Sequence, residues 1–231
     1  MSLLERLLDR LSLWQHNIYL ISDIHFDESW FSCHRGFRHC ADSEFKDCRK
    51  KKDRKYSRPC PFNDIGKMNK TLIDNWNKTV QKEDTVHFLG DWHNNADKQY
   101  DKEKDRQYWQ KQLNGKILSI KGNHDHKTCD TIYPRKRILK TTKREYLLVH
   151  DPDDGEYWNG KPWKGWRIHG HHHNNYPNKH PFINGKKKTI NVSVEVIGYK
   201  PVSLKVIEAL DLTTIQWMQY ADSTPTRFTN P

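Results

Sequence analysis

Five short apolar runs punctuate this sequence, and each gives way at once to Asp, His or Asn. Ile18-Tyr19-Leu20-Ile21 leads to Asp23 and His25, and Val86 to Leu89 leads to Gly90-Asp91. Ile117 to Ile120 leads to Gly122-Asn123-His124-Asp125, Tyr146 to Val149 leads to His150, and Trp166 to Ile168 leads to His169-Gly170-His171-His172-His173. Runs of this length and composition, bounded by polar residues, read as buried strands. Two further strands are expected over Ile190 to Val196 and Val202 to Val206. Between the early strands lie helical patterns. Ile65, Met68, Leu72, Ile73 and Trp76 fall at helical spacing after a capping Asn63 or Asp64. A charged helix is expected from about Asp97 to Leu113. Strand, polar loop and helix in repetition imply an α/β architecture with strands buried beneath helices. In such layered folds ligand sites gather beyond the strand ends.

The 231 residues fit one domain, and nine Trp within a 12% aromatic content supply a core despite a mean hydropathy of −1.04. No apolar run approaches the roughly 20 residues that span a bilayer, which argues against a membrane protein. No apolar leader core follows a basic start, and five Cys is an odd number. Both features point to free thiols in a reducing, cytoplasmic setting. Leu4, Leu7, Leu8 and Leu11 share one face of an amphipathic helix over Met1 to Leu13. It is read as docking on the body, with a weak membrane-surface or partner helix as the other reading. A net charge of +11 would attract nucleic acid or another polyanion, or would serve solubility alone.

One Asp after a strand is usually a turn or a cap, and one His is usually a satisfied core or surface residue. Five successive ends of this composition are harder to explain as turns. Imidazole and oxygen donors together, with no thiolate among them, suit Mn²⁺, Fe, Zn²⁺ or similar ions. Asp23 and His25 are two apart, as are His171 and His173, so on extended chain each pair faces one side. Gly90, Gly122 and Gly170 let backbone pass close beside a crowded site. The amide oxygen of Asn123 is a neutral donor, which leaves His124 outside the metal shell and able to act on substrate. His172 alternates with His171 and His173 and should face the other way. His169 and His172 are read as supporting or surface residues rather than ligands.

The ordered series Asp23-x-His25, Gly90-Asp91, Gly122-Asn123-His124-Asp125, His150 and Gly170-His171-x-His173 resembles the calcineurin-like metallophosphoesterase superfamily. The resemblance runs from about Ile18 to about Leu204. Asn191 to Glu195 and Tyr199 to Ser203 are similar to the C-terminal strands of its small, uncapped prokaryotic and phage members. This resemblance implies a four-layer α-β-β-α sandwich with two central mixed sheets and the metal site at strand ends. It implies that Asp23, His25 and His173 hold one divalent ion, that Asn123, His150 and His171 hold a second, and that Asp91 bridges the two. Mn²⁺ is the expected ion, with Fe, Zn, Ni and Co as alternatives. Such a pair, about 3.5–4 Å apart, shares a hydroxide that attacks phosphorus in line with the leaving oxygen. His124 then matches the family's catalytic His, which contacts the phosphate and protonates the leaving group. One position departs from the pattern. Many members carry an acid three residues after the bridging Asp, and here that residue is Asn94. Asn94 can accept a hydrogen bond but brings no charge, so either His124 is less basic than in those relatives or Asp125 or Asp97 takes the part.

The organisation expected is one domain over residues 1–231, with the N-terminal helix at about 1–13 and a Cys- and Lys-rich insertion at about 28–61. Cys33, Cys40, Cys48 and Cys60 would hold a small additional Zn²⁺, or are incidental thiols in a variable loop. The basic run from Lys46 to Arg58 would grip a phosphate backbone, or is a solvated loop. Trp158, Trp163 and Trp166 would stack on bases or, as preferred for Trp166, pack in the core. The function expected is two-metal phosphoester hydrolysis, on phosphodiesters of nucleotide or nucleic-acid type given the basic charge and an open site. The alternative is a nucleic-acid-binding or scaffold protein that keeps the metal site without turnover.

Overall fold

The computed structural model describes residues 16–28, 64–92, 102–125 and 133–221. The expected N-terminal helix, the Cys- and Lys-rich insertion beyond Glu28, and both Asn94 and Asp97 lie outside these residues.

The first half of the chain alternates strand and helix: β1 (Ile18–Ile21), α1 (Ile65–Thr79), β2 (Thr85–Phe88), α2 (Lys102–Gln110) and β3 (Lys116–Ser119). α1 begins where Asp64 accepts a hydrogen bond from the Lys67 backbone amide at 2.9 Å, so Asp64 is the cap. It ends where Val80 turns extended. Met68, Leu72 and Trp76, four residues apart, bury its inner face. Burial of each stabilises by roughly 1.5–3 kcal/mol or somewhat more for Trp. The Trp76 indole also donates to the Asn114 carbonyl at 2.9 Å, which fixes the helix against the approach to β3. α2 places Trp109 flat on Phe26, with ring centroids 4.5 Å apart, just beyond the end of β1.

The second half is richer in strand: β4 (Lys136–Lys140), β5 (Glu145–Val149), β6 (Tyr157–Trp158), β7 (Lys161–Pro162), β8 (Trp166–His169), β9 (Ile183–Asn184), β10 (Thr189–Asn191), β11 (Val202–Ser203), α3 (Leu204–Ala209) and β12 (Trp217–Met218). Two mixed sheets result, as the α/β sandwich expectation required. The first has the order β11-β1-β2-β3, with β1, β2 and β3 parallel and β11 antiparallel to β1. The second has the order β12-β9-β10-β8-β5-β4, in which β5, β8 and β10 are parallel. β6 and β7 form a separate hairpin. One apolar cluster joins both sheets, from Leu20, Val86 and Phe88 in the first to Tyr146, Leu148, Ile168 and Ile190 in the second. The chain also links them directly. Ser22 donates its amide to the Val192 carbonyl and accepts from the Val194 amide, both at 3.0 Å, just beyond β1 and β10.

Three local readings need correction. The strand expected over Ile190 to Val196 stops at Asn191, because the Asn191 side chain accepts from the Ser193 amide and hydroxyl and turns the chain toward Ser22. The strand expected over Val202 to Val206 lasts two residues. The Ser203 hydroxyl caps the Lys205 amide, and α3 follows with Leu204 and Ile207 buried three apart. β4 was not anticipated, since three of its five residues are Lys or Arg; it is the outer strand of the second sheet, where basic side chains are tolerated. Trp166 packs against the core, as preferred. Among the described residues no helix is long and apolar enough to cross a membrane.

Candidate metal centre

The parallel strands point their carboxyl ends at the junction of the two sheets. β1 delivers Asp23 and His25, β2 delivers Asp91, and β3 delivers Asn123 and His124. From the second sheet β5 delivers His150, and β8 delivers His171 and His173. All seven candidate ligands meet there. His150 Nε2 lies 2.8 Å from Asn123 Oδ1, 3.2 Å from Asp91 Oδ2 and 4.0 Å from Asp23 Oδ1. His171 Nδ1 lies 2.8 Å from the same Asn123 oxygen. His25 Nε2 is 3.6 Å from Asp91 Oδ2, and His173 Nε2 is 3.9 Å from Asp23 Oδ1. Two donor sets stand close enough to hold an ion: Asp23, His25 and His173, and Asp23, Asp91 and His150. Asp23 belongs to both sets, so they adjoin.

The backbone is bent to make this meeting possible. Asp23, His25, Asp91, His171 and His173 all have φ between 48° and 70°, the left-handed region that side-chain-bearing residues seldom adopt. Such positions cost on the order of 1–3 kcal/mol each and persist where surrounding structure enforces them, commonly at functional sites. Close approach enforces them here. A Cβ on Gly122 would stand 2.1 Å from Asp91 Oδ1, and one on Gly170 would stand 2.1 Å from Ser22 Oγ and 2.4 Å from Asp23 Oδ2. Both glycines therefore lie against the candidate ligands, as the sequence suggested.

Backbone amides hold the carboxylates. The His171 amide donates to both oxygens of Asp23 at 3.0 and 3.1 Å, and the His124 amide donates to Asp91 Oδ1 at 2.9 Å. Asp125, almost wholly buried, accepts from the amides of Asp91, Trp92 and Gly122 at 3.1, 2.9 and 2.8 Å. Its carboxylate thus ties the Gly90-Asp91 turn to the Gly122-Asn123 turn. Burial, and next the charge of Asp91, push its pKa up to about 6.

The imidazoles of the second sheet are held from outside the cluster. His150 Nδ1 donates to the Leu89 carbonyl at 2.7 Å, which leaves Nε2 to face the site. Burial works against a charge on His150. The hydrogen bond and charge of Asp91, then Asp23 and the Leu89 carbonyl, outweigh it and lift the pKa to about 10. Burial would likewise raise the Asp91 carboxyl, but His150 holds it below its ordinary value. A proton on His150 therefore balances the buried carboxylates when no cation does, and a divalent cation would displace it. His173 Nδ1 meets both Glu195 oxygens at 3.0 and 3.1 Å, and His171 Nε2 lies 3.4 Å from Asp151 Oδ2.

His124 stands beside the cluster, partly exposed, its ring 5.5 Å edge-on from that of His25. His172 turns away and stacks on His180 at 3.5 Å, while fully buried His169 presents its edge to both at 6.2 Å. Burial keeps His169 and His180 neutral, with pKa values lowered to about 3 and about 4. Glu195, Asp151 and Asn191 escaped the sequence reading. Asn191 donates to the carbonyls of His173 and His180 at 3.0 and 3.1 Å and so pins the loop that carries His173. Glu195 had a signal: it is the one acid in the run from Asn191 to Ile197, where an unpaired charge would be costly.

Buried carboxylates and imidazoles with an amide oxygen, at strand ends of an α/β sandwich, fit hard-to-borderline divalent cations and support a metal-dependent phosphoesterase. The chain belongs to the calcineurin-like phosphoesterase family, whose sequence model matches residues 16–208. It is 40% identical over 193 residues to an uncharacterised protein of Methanocaldococcus jannaschii, across 84% of this chain and 90% of that one. Its fold is similar to the crystal structure of a protein of unknown function from Aquifex aeolicus, with a TM-score of 0.53 and 20% identity over 84% of this chain and 99% of that chain.

Proposed function

We propose that the protein is a two-metal phosphoester hydrolase, acting on phosphodiesters of nucleotide or nucleic-acid type, and that residues 1–231 form one catalytic domain. The observation that carries the reading is the convergence of seven oxygen and imidazole donors at one junction, five of them in the left-handed backbone that clusters at functional sites. Asp23, His25 and His173 would hold one cation, and Asn123, His150 and His171 the other, with Asp91 between them. Mn²⁺ suits this donor set first, and Fe, Zn, Ni or Co would also be accepted. Bound together, the cations would supply Lewis acidity toward the phosphoryl oxygens and acidify a water at neutral pH.

The chain's own residues do the rest. Asp91 and Asp23 are fixed by amides before any ligand arrives, so no reorganisation is needed when charge develops. The Leu89 carbonyl, Asp151 and Glu195 orient the three imidazoles of the second sheet. His124 stands at the rim and would donate a proton to the leaving oxygen. The net charge of +11 favours an anionic polymer as substrate.

Hydrolysis of bis-p-nitrophenyl phosphate by metal-stripped protein, with and without Mn²⁺, tests the reading. Metal-dependent cleavage that disappears in Asp91→Ala is expected. A folded protein that cleaves with none of the five cations would refute it, and salt-sensitive binding of DNA or RNA without turnover would favour a binding protein instead.

A further inference from the structure

Two carboxylates outside the ligand set stand on the far sides of two candidate ligands. Glu195 is 4% exposed, and both of its oxygens lie within hydrogen-bond distance of His173 Nδ1. That ring's other nitrogen, Nε2, faces Asp23. Asp151 stands in the mirror relation to His171: it lies 3.4 Å from Nε2, while Nδ1 faces Asn123. The loop Gly170 to His173 thus offers opposite ring nitrogens to the site from its two ligand positions, and each outward nitrogen has its own acid. Because each acid lies across the ring from the donor nitrogen, neither can bind the same cation as its histidine.

Resting on the two-metal reading above, we propose that Glu195 and Asp151 are positioning residues that divide the metal pair between them. Glu195, through His173, sets the affinity of the Asp23/His25/His173 position. Asp151, through His171, sets that of the Asn123/His150/His171 position. Glu195 hydrogen-bonds His173 Nδ1, whereas Asp151 meets His171 Nε2 at 3.4 Å as an ion-pair contact, so the same physics holds in full for Glu195 and in weaker form for Asp151. A carboxylate that accepts the outward N–H fixes the tautomer and the ring plane, and makes the inward nitrogen a better donor. The strengths should differ. Glu195 is buried, makes two short contacts, and follows a segment tied to Ser22 across the sheet junction. Its histidine is held again from the other side by Asn191 at the His173 carbonyl. Asp151 and His171 are each about a third exposed, with 31% and 30% of their side-chain surface open, so water weakens that pairing.

The experiment is a calorimetric Mn²⁺ titration of metal-stripped full-length protein at fixed pH, for wild type, Glu195→Gln and Asp151→Asn. His25→Ala and His150→Ala, each lacking a ligand of one position, assign the two binding steps. Glu195→Gln should weaken the step lost in His25→Ala by about 10- to 100-fold and leave the other within about twofold, while Asp151→Asn should weaken the opposite step by only a few-fold. The spin-coupled Mn²⁺ pair signal in electron paramagnetic resonance should fade in Glu195→Gln at limiting metal and return at excess. A purely structural role would instead move both steps together and lower the unfolding temperature of the metal-free protein. If Glu195→Gln does not fold, Glu195→Asp, which keeps the charge but shortens its reach, must still weaken the same step selectively. Two steps in wild type that both stay unchanged in Glu195→Gln overturn the inference alone. Fewer than two bound ions in wild type overturn it together with the reading beneath it.

Discussion

The two sheets bring different chemistry to their junction. The first supplies the charge, in Asp23 and Asp91, and the neutral amide oxygen of Asn123, with His25 as its one imidazole among the candidate ligands. The second supplies imidazole only, in His150, His171 and His173. The means of support differ as well. Carboxylates are gripped by backbone N–H groups, which are fixed as soon as the turns form. Imidazoles are met from behind, by the Leu89 carbonyl and Glu195 as hydrogen-bond acceptors and by Asp151 at ion-pair distance. On the proposed reading, the first sheet would set charge and separation, and the second would tune affinity. Each half also completes the other, since the amide that holds Asp23 belongs to His171.

Substitutions on the two sides should break this symmetry unequally. Asp91→Ala removes the carboxylate proposed to lie between the two cations. With several kcal/mol of transition-state stabilisation at stake, a loss of roughly 10³-fold or more in kcat is expected. His171→Ala removes a partly exposed candidate ligand from the second side and should cost less, on the order of 10- to 100-fold, comparable to losing an orienting partner. Initial rates on the same diester, at saturating Mn²⁺, compare them directly. Equal losses would mean that the oxygens have no privileged share.

The next effect concerns stability. His87 in β2 is buried, and burial, with the charge of Arg137 second, lowers its pKa to about 4. In the unfolded chain it binds a proton near pH 6.5. Between these values the unfolded state carries the extra proton, so stability falls as pH drops from about 6.5 to about 4. The full loss from this group is up to about 3 kcal/mol. Urea unfolding of the metal-free protein at pH 7 and pH 4.5, with His87→Gln alongside, measures it. An acid loss of the same size in His87→Gln would assign the effect elsewhere, with buried His169 and His180 of the second half next in line.

The smallest expected change sits at the seam itself. Gly170→Ala would drive a methyl into Ser22 Oγ and Asp23 Oδ2, and overpacking of this kind costs about 1–3 kcal/mol. Denaturant midpoints of the metal-free protein should show it, together with weaker metal binding. A variant as stable as wild type would mean that the sheets can part at this point without cost.

Much of this was legible in the sequence because the strands are short and apolar and the residues after them are chemically distinct. Ile18 to Ile21 and Tyr146 to Val149 left little room for another reading, and the pair Asn63 and Asp64 announced α1, of which Asp64 is the cap. What escaped depends on side chains acting on distant backbone. Asn191 breaks its strand by bonding Ser193, and Ser203 starts a helix inside an apolar run. Neither choice is written in hydrophobic periodicity. The left-handed backbone at Asp23, His25, Asp91, His171 and His173 was hidden for the same reason: these residue types do not demand it, and the packing of the two sheets imposes it. Glu195 and Asp151 lie 22 and 20 residues from the histidines they serve, and only the fold reveals the pairing.

The central claim is that the sheet junction holds two cations with Asp91 between them. Anomalous diffraction from crystals of Mn²⁺-loaded protein, recorded on either side of the manganese edge, tests it most directly. The account requires two peaks about 3.5–4 Å apart, one ringed by Asp23, His25 and His173, the other by Asn123, His150 and His171, with a carboxylate oxygen of Asp91 reaching both. A single peak, or strong peaks away from these residues, would contradict it.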